Sequence, residues 1–289
     1  MIKIGILGSD NSHAGEFSHL ANKPFNGKML YDDVRVTHIY GHNSEETEKL
    51  VKEYDIPNVV TDPAQMLGQI DAAMVVFRDG IHHFKYAKPF VERGLPIWID
   101  KPITITTKEC EQLFALAKKH NSLLTGGSNC KFAAQLKEAR EYVSSKEKGK
   151  IKSAILNFPI HLDSVYSGMH FYAAHLVEMM TEVFGFDVKH VYAHISGEVV
   201  NAICEYDGLD VHLCYAPNAR QYSCFIIEEG KVNPHYDIKI GDIAERAFED
   251  FVTTIKTKKT SYPSENLLIT TKIVNAIDTS MKIKKRIKV

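Results

Sequence analysis

The sequence predicts two domains of different class: an N-terminal α/β domain on a doubly wound parallel sheet, and a C-terminal α+β domain with a large, mostly antiparallel open sheet. Three observations predict this. Up to about residue 125, short apolar runs alternate with amphipathic stretches, the signature of strand–helix–strand crossovers. Gly126-Gly127 then interrupts the pattern. Beyond it come two helical stretches and a succession of strands separated by glycine-containing turns. At 289 residues the chain is long enough to bury a sizeable core and to divide in two. The expected domains are residues 1–125 and 126–289.

Taken in order, Ile2–Leu7, Val34–Tyr40, 71–77, 95–99 and 122–125 are apolar runs of strand length and read as buried strands. Ser44–Tyr54, 82–93 and Thr107–His120 carry apolar residues at helical spacing behind capping residues, and read as the crossover helices. After Gly127 the spacing predicts a helix over 133–144, a strand over 151–159 and a helix over 167–184. The runs 188–196, Val199–Tyr206, Leu209–Tyr215 and Tyr222–Glu228 are divided by turn signals such as Asp207-Gly208 and predict an antiparallel meander. Helices over 242–256 and 264–281 close the chain. The basic tail Lys282, Lys284, Lys285, Arg286 and Lys288 alternates with apolar residues and reads as the solvated face of a last strand.

Charges nearly cancel to a formal net charge of −1, which leaves no electrostatic footprint for nucleic acid or an anionic membrane. The five cysteines are odd in number and show no paired short spacing, against a disulfide framework or a zinc site, so no metal is expected. Met1 leads directly into the first strand, and no apolar run reaches membrane-spanning length. A cytoplasmic protein is expected.

Asp100-Lys101-Pro102 is the most informative stretch. It follows the apolar run Leu95-Pro96-Ile97-Trp98-Ile99 and so places a lysine at a strand end, where doubly wound sheets present their chemistry. The proline stiffens the backbone that presents it. Together with this tripeptide, three further features resemble the Gfo/Idh/MocA oxidoreductases, the glucose–fructose oxidoreductase and inositol dehydrogenase family, over essentially the full length. Asp100-Lys101-Pro102 is similar to the family's Glu-Lys-Pro. His83 stands upstream of it ahead of an amphipathic helix. His175 lies in Tyr172-Ala173-Ala174-His175-Leu176-Val177-Glu178, and the ending from Tyr262-Pro263-Ser264 through Ala276-Ile277-Asp278-Thr279-Ser280 is similar to the family's last helix. The resemblance implies a Rossmann domain that binds NAD or NADP, and a sheet domain that covers a small sugar- or polyol-like substrate. It further implies His175 as base and Lys101 as electrostatic and relay group, chemistry suited to moving a hydroxyl proton while hydride leaves carbon. Considered without the resemblance, His175 reads as a satisfied histidine on a packed helix.

The chain departs from the family pattern at three places. A dinucleotide loop uses glycines where backbone approaches pyrophosphate, yet here Gly8 is followed by Ser9-Asp10-Asn11-Ser12-His13, with Asp10 and His13 in the second and third glycine places. Asp10 there is expected to cap the following helix and repel phosphate; the counter-reading has Ser12 and His13 as replacement donors. The ribose-binding acid is replaced by Gly41, followed by His42 and Asn43, which permits NADP without favouring it. Arg78 after Phe77 replaces a threonine. The aspartate four residues before the family histidine is Phe171 here, which makes Tyr172 the candidate replacement; His170, His161 and Asp163 rank lower.

The candidate catalytic set is therefore Lys101, His175 and Tyr172. The candidate cofactor set is Gly8, Ser9, Asp10, Asn11, Ser12, His13, His42, Asn43, Phe77, Arg78, His83, Asp100, Lys101 and Pro102. Val199, Ile203, Leu213 and Phe225 predict an apolar patch on the open sheet and a homo-oligomer, dimer or tetramer, built on it. The rival reading is a degenerate family member that senses a nucleotide or sugar derivative without turning it over.

Overall fold

In the computed structural model, which describes residues 1–289, the chain forms two compact units. The first is Met1–Gly127 with Ala244–Leu267, the second Ser128–Ile243 with Leu268–Val289. A single division at 125/126 does not describe them, because the segment after residue 243 returns to the first unit. Burial explains the return: Phe248 packs on Phe17 and Phe251 on Trp98, with ring centroids 6.1 Å apart in both pairs. All four rings are fully buried.

The first unit contains β1 (Ile2–Leu7), α1 (Ser12–Asn22), β2 (Val34–Tyr40), α2 (Ser44–Tyr54), β3 (Asn58–Val59), β4 (Ala72–Val75), α3 (His83–Val91), β5 (Ile97–Asp100), α4 (Thr107–His120) and β6 (Leu124–Gly127). Its sheet has the order β3-β2-β1-β4-β5-β6, and every pairing is parallel. Helices cover both faces of such a sheet, which is why its central strands are continuous apolar runs. The order turns back between β1 and β4, so the loops leaving those strands diverge and open a crevice at the carboxyl ends. Two details differ from expectation. Gly126-Gly127 lies inside β6 rather than between domains, and β5 runs on to Asp100, so the carboxylate belongs to the strand's last residue and Lys101 is the first beyond it.

The second unit continues with α5 (Ala134–Ser144), β7 (Ile151–Phe158), α6 (His170–Phe184), β8 (His190–Ser196), β9 (Val199–Tyr206), β10 (Leu209–Tyr215), β11 (Tyr222–Glu228) and β12 (His235–Ile238). Then come α7 (Ile243–Thr257), most of which belongs to the first unit, α8 (Glu265–Ile283) and β13 (Ile287–Lys288). The sheet order is β12-β11-β7-β10-β9-β8-β13. The expected meander holds for β8, β9 and β10 only. β7 inserts between β10 and β11, parallel to the first and antiparallel to the second. There, both edges of an eight-residue strand are hydrogen-bonded, whereas at the sheet margin one row of N–H and C=O groups would lack partners.

One face of this sheet packs under α5 and α6. The other carries a row of side chains in register across five strands: Phe225, Ile155, His212, Ile203 and Tyr192. Ile155 is 43% and Tyr192 37% exposed. Leu213 does not belong to this patch. It is 1% exposed and lies on the helix-covered face, since it pairs with the buried Ala202. No helix of the chain is long and apolar enough to cross a membrane.

Candidate active site

The crevice of the first unit begins at the loop after β1. Gly8 has φ +111°, and a Cβ there would lie 2.5 Å from the Phe77 backbone nitrogen, so only glycine allows the two strand ends to approach this closely. Ser9 turns inward, its Oγ accepting a hydrogen bond from Thr47 Oγ1 at 2.9 Å. Asp10 is not the helix cap. Its Oδ1 accepts the Arg78 backbone N–H at 3.3 Å and so ties the β1 loop to the β4 loop. Asn11 caps α1 instead, accepting the His13 N–H through Oδ1. Asn wins because its amide satisfies a second demand: Nδ2 donates to Asp100 Oδ2 at 2.8 Å. Ser12 is exposed at the first turn of α1.

His13 closes the loop onto β5. Its Nδ1 lies 2.8 Å from Asp100 Oδ2, and Asp100 is fully buried. Asp100 Oδ1 also accepts the Lys101 backbone N–H at 2.8 Å. Burial disfavours the Asp100 carboxylate, but His13, by charge and hydrogen bond, and the Lys101 charge hold it well below the usual carboxylate range. Burial likewise opposes protonation of His13, yet Asp100 raises the imidazole above its ordinary 6.5. The third-glycine position thus carries an imidazole whose protonated form the strand-end carboxylate favours. Lys101 itself is 5% exposed and Pro102 is buried.

The remaining positions sort into surface and scaffold. A Cβ on Gly41 would lie 2.0 Å from Ser9 Oγ and 2.3 Å from Thr47 Oγ1, so the Ser9–Thr47 hydrogen bond fills the space an acidic side chain needs. Asn43 spends its Oδ1 capping α2, on the N–H groups of Glu45 and Glu46. His42 is exposed, its Nε2 2.8 Å from the Tyr86 hydroxyl, and its ring lies 4.8 Å from Phe77 and 4.7 Å from His82. Burial, then the neighbouring His82 charge, lowers its pKa below 6.5. An aromatic shelf of this kind suits the flat face of a base. His83 is scaffold: fully buried, its ring nitrogens meet the Pro102 carbonyl at 2.6 Å and the Phe77 carbonyl at 2.9 Å, stapling the ends of β4 and β5. Burial lowers its pKa. It has no surface with which to touch a cofactor, and neither has Asp100, which acts through its neighbours.

In the second unit, His175 sits on the buried face of α6, 8% exposed. Its Nδ1 lies 2.6 Å from Ser128 Oγ, on the first residue after β6. The Phe158 ring is 5.0 Å and the Tyr172 ring 5.9 Å away. Tyr172 also stacks beside His161, at 5.4 Å. Phe171 packs on Tyr166 at 5.2 Å. His170 points elsewhere, its Nε2 4.0 Å from Asp278 on α8. One turn beyond His175, Glu178 is paired at 3.1 Å with Lys131, both nine-tenths buried or more, which anchors this part of α6 to the segment after β6. A cavity of about 450 Å³ opens beside the β7–α6 loop, lined by His161, Asp163, Glu198 and Asn218 among others. Sequence reasoning missed Ser128 and Lys131. The usable signal was their position immediately after a strand of a parallel sheet.

Comparison with known proteins supports this architecture. Residues 2–128 match the Gfo/Idh/MocA family model, described as an oxidoreductase family with an NAD-binding Rossmann fold. Over 121 residues the chain is 29% identical to the uncharacterized oxidoreductase YhhX of Escherichia coli (strain K12); the match covers 42% of this chain and about a third, 35%, of that protein. Among solved structures, GenD2 from gentamicin A biosynthesis, in complex with NAD, superposes with a TM-score of 0.84 at 13% identity, covering 100% of this chain and 96% of that one. The myo-inositol 2-dehydrogenase of Lactobacillus plantarum gives 0.83 at 16% identity, covering 100% and 99%. The scyllo-inositol dehydrogenase of Lactobacillus casei, with bound NAD(H) and scyllo-inositol, gives 0.81 at 16%, also over 100% and 99%. At these identities the likeness establishes the two-domain fold. Residues 2–128 are therefore similar to the NAD-binding Rossmann domain of the Gfo/Idh/MocA oxidoreductase family.

Proposed function

We propose that this protein is an NAD(P)-dependent dehydrogenase that interconverts a hydroxyl and a carbonyl on a small sugar- or polyol-like substrate. The observation that carries the reading is the lysine held directly beyond a buried, ionised strand-end carboxylate, inside the domain that matches an NAD-binding family. The residues present fit a dinucleotide. Gly8 leaves a cradle that a Cβ would fill, His13 adds positive charge at the start of α1, and His42 offers a shelf for the base. No acid stands at Gly41, so the ribose end admits either nucleotide. When bound, the nicotinamide gives or takes the hydride. Lys101 in the first unit and His175 in the second are each proposed as a polar group that acts on the substrate, with Tyr172 flanking His175. The inositol dehydrogenases that share the fold point the same way.

Titration with NADH and NADPH, read as energy transfer from the single, fully buried Trp98, tests the cofactor. A panel of inositols, sugars and their keto forms then tests turnover. Binding without turnover on any of them favours the sensor reading; no binding at all removes the dehydrogenase. We further propose a homodimer through the open sheet, because the Phe225–Ile155–His212–Ile203–Tyr192 row is apolar at both ends and can meet its own copy about a two-fold axis. Light scattering over a range of concentrations is expected to show the dimer, and Ile155→Lys to dissociate it; a monomer throughout the range overturns it.

A further inference from the structure

We infer that His175 meets its substrate as a hydrogen-bond donor, because Ser128 fixes the ring in the tautomer that carries its hydrogen on Nε2. What that donor touches rests on the dehydrogenase reading; the tautomer does not. Ser128 is completely buried. Its Oγ has two partners, the Cys130 backbone N–H at 3.1 Å and His175 Nδ1 at 2.6 Å. An amide N–H only donates, so Oγ accepts from Cys130. The hydroxyl hydrogen is then left with one destination, the Nδ1 lone pair, since a buried O–H without an acceptor is strongly disfavoured. A neutral imidazole whose Nδ1 accepts must bear its hydrogen on Nε2.

A ring in that state has no lone pair with which to take a hydroxyl proton. When bound, the nicotinamide would take or give the hydride, and in the oxidative direction the hydroxyl proton would pass to a base other than His175. The oxygen, as it becomes a carbonyl, accepts the His175 Nε2–H. In the reverse direction the same Nε2–H would polarise the C=O, and the proton that completes the hydroxyl would come from another acid. The hydrogen on Nε2 is never transferred. Ser128 is a positioning residue: it decides which nitrogen of His175 is the donor, in a protein whose α6 carries Phe171 in place of an acid.

The test is the tautomer itself. Long-range proton–nitrogen correlation spectra of the labelled protein report it without substrate; the His175 signals, among those of fourteen histidines, are those lost in His175→Gln. The expected pattern at neutral pH is a protonated Nε2 with an unprotonated, hydrogen-bonded Nδ1. The opposite pattern, or two tautomers in comparable amounts, overturns the inference. Ser128→Ala is expected to shift the Nδ1 resonance and lower turnover about 10-fold or more, with Ser128→Thr restoring both; if the alanine variant does not fold, the wild-type and threonine spectra decide. The Nε2–H pattern in a protein that turns over no polyol or ketose overturns the dehydrogenase and leaves the tautomer standing. Turnover with the Nδ1–H pattern does the reverse.

Discussion

Two histidines stand at the working ends of the two units, and opposite partners hold them. His13, at the start of α1, faces a buried carboxylate and is driven toward the imidazolium. His175, on α6, faces a buried hydroxyl, to which the choice of its tautomer is assigned above. The same side chain is thus biased toward charge in one place and, by the inference above, toward a directed N–H in the other, and the atom opposite Nδ1 decides which. The first unit prepares for an anion by pairing ions at strand ends. The second surrounds its histidine with a neutral hydrogen bond and aromatic rings.

The largest expected effect breaks the ionic side of this comparison. Asp100→Asn leaves His13 and the strand-end network without their buried counter-charge and is expected to cost about 3–5 kcal/mol of stability, read by denaturant unfolding followed through Trp98. A change below 1 kcal/mol would mean that the pair is ornamental. Next come the groups proposed to meet the substrate. Lys101→Ala and His175→Ala are each expected to lower turnover by about 10²-fold or more, with the double variant little worse than either, since groups acting on one oxygen are not additive. Full additivity would separate them. Tyr172→Phe sharpens the neutral side: a comparable loss assigns the phenol to the reacting oxygen, whereas near-normal turnover leaves it as a wall of the His175 site.

The pH dependence distinguishes the two histidines directly. His13 is raised from 6.5, so its contribution to stability is present below that value and is lost as pH rises through the folded-state value. Asp100 is lowered from 3.8, so its contribution is present above 3.8 and is lost as pH falls through its own folded-state value. The stability difference between the wild-type protein and His13→Gln should therefore be greatest between pH 3.8 and 6.5 and shrink on the alkaline side; a difference flat with pH contradicts the ion pair. The smallest effect concerns Asp10. Asp10→Asn keeps an acceptor for the Arg78 N–H but removes a negative charge beside the phosphate path, and should tighten NADH several-fold, about 1 kcal/mol. Unchanged affinity would place the phosphates away from Asp10.

Most of the fold was legible because it rests on short-range pattern: apolar runs, capping residues and glycine turns each report on their own neighbourhood. Lys101 was legible for the same reason, being adjacent in sequence to the strand that presents it. Asp10 was misread as a cap because Asn11, one residue later, alone reaches both the His13 N–H and Asp100, and Asp100 is 89 residues away from it. Ser128 escaped notice since its partner lies 47 residues on. Leu213 was set on the wrong face. The alternation within β10 was read correctly, but which of its faces matches Ile203 depends on register: Ile203 opposes His212, so Leu213 opposes Ala202. Residues at a distance are brought together by pairing and packing that no local window contains.

The return of Ala244–Leu267 to the first unit has a consequence for how the protein is made. On a ribosome the six strands of the parallel sheet emerge well before the helix that covers Phe17 and Trp98. Until that late segment follows, the nascent N-terminal half carries an uncovered aromatic face, the kind of surface that holdase chaperones bind. A fragment ending at Gly127 should behave like that nascent chain, sticky and loosely packed, and a peptide spanning 244–267 supplied in trans should quiet it.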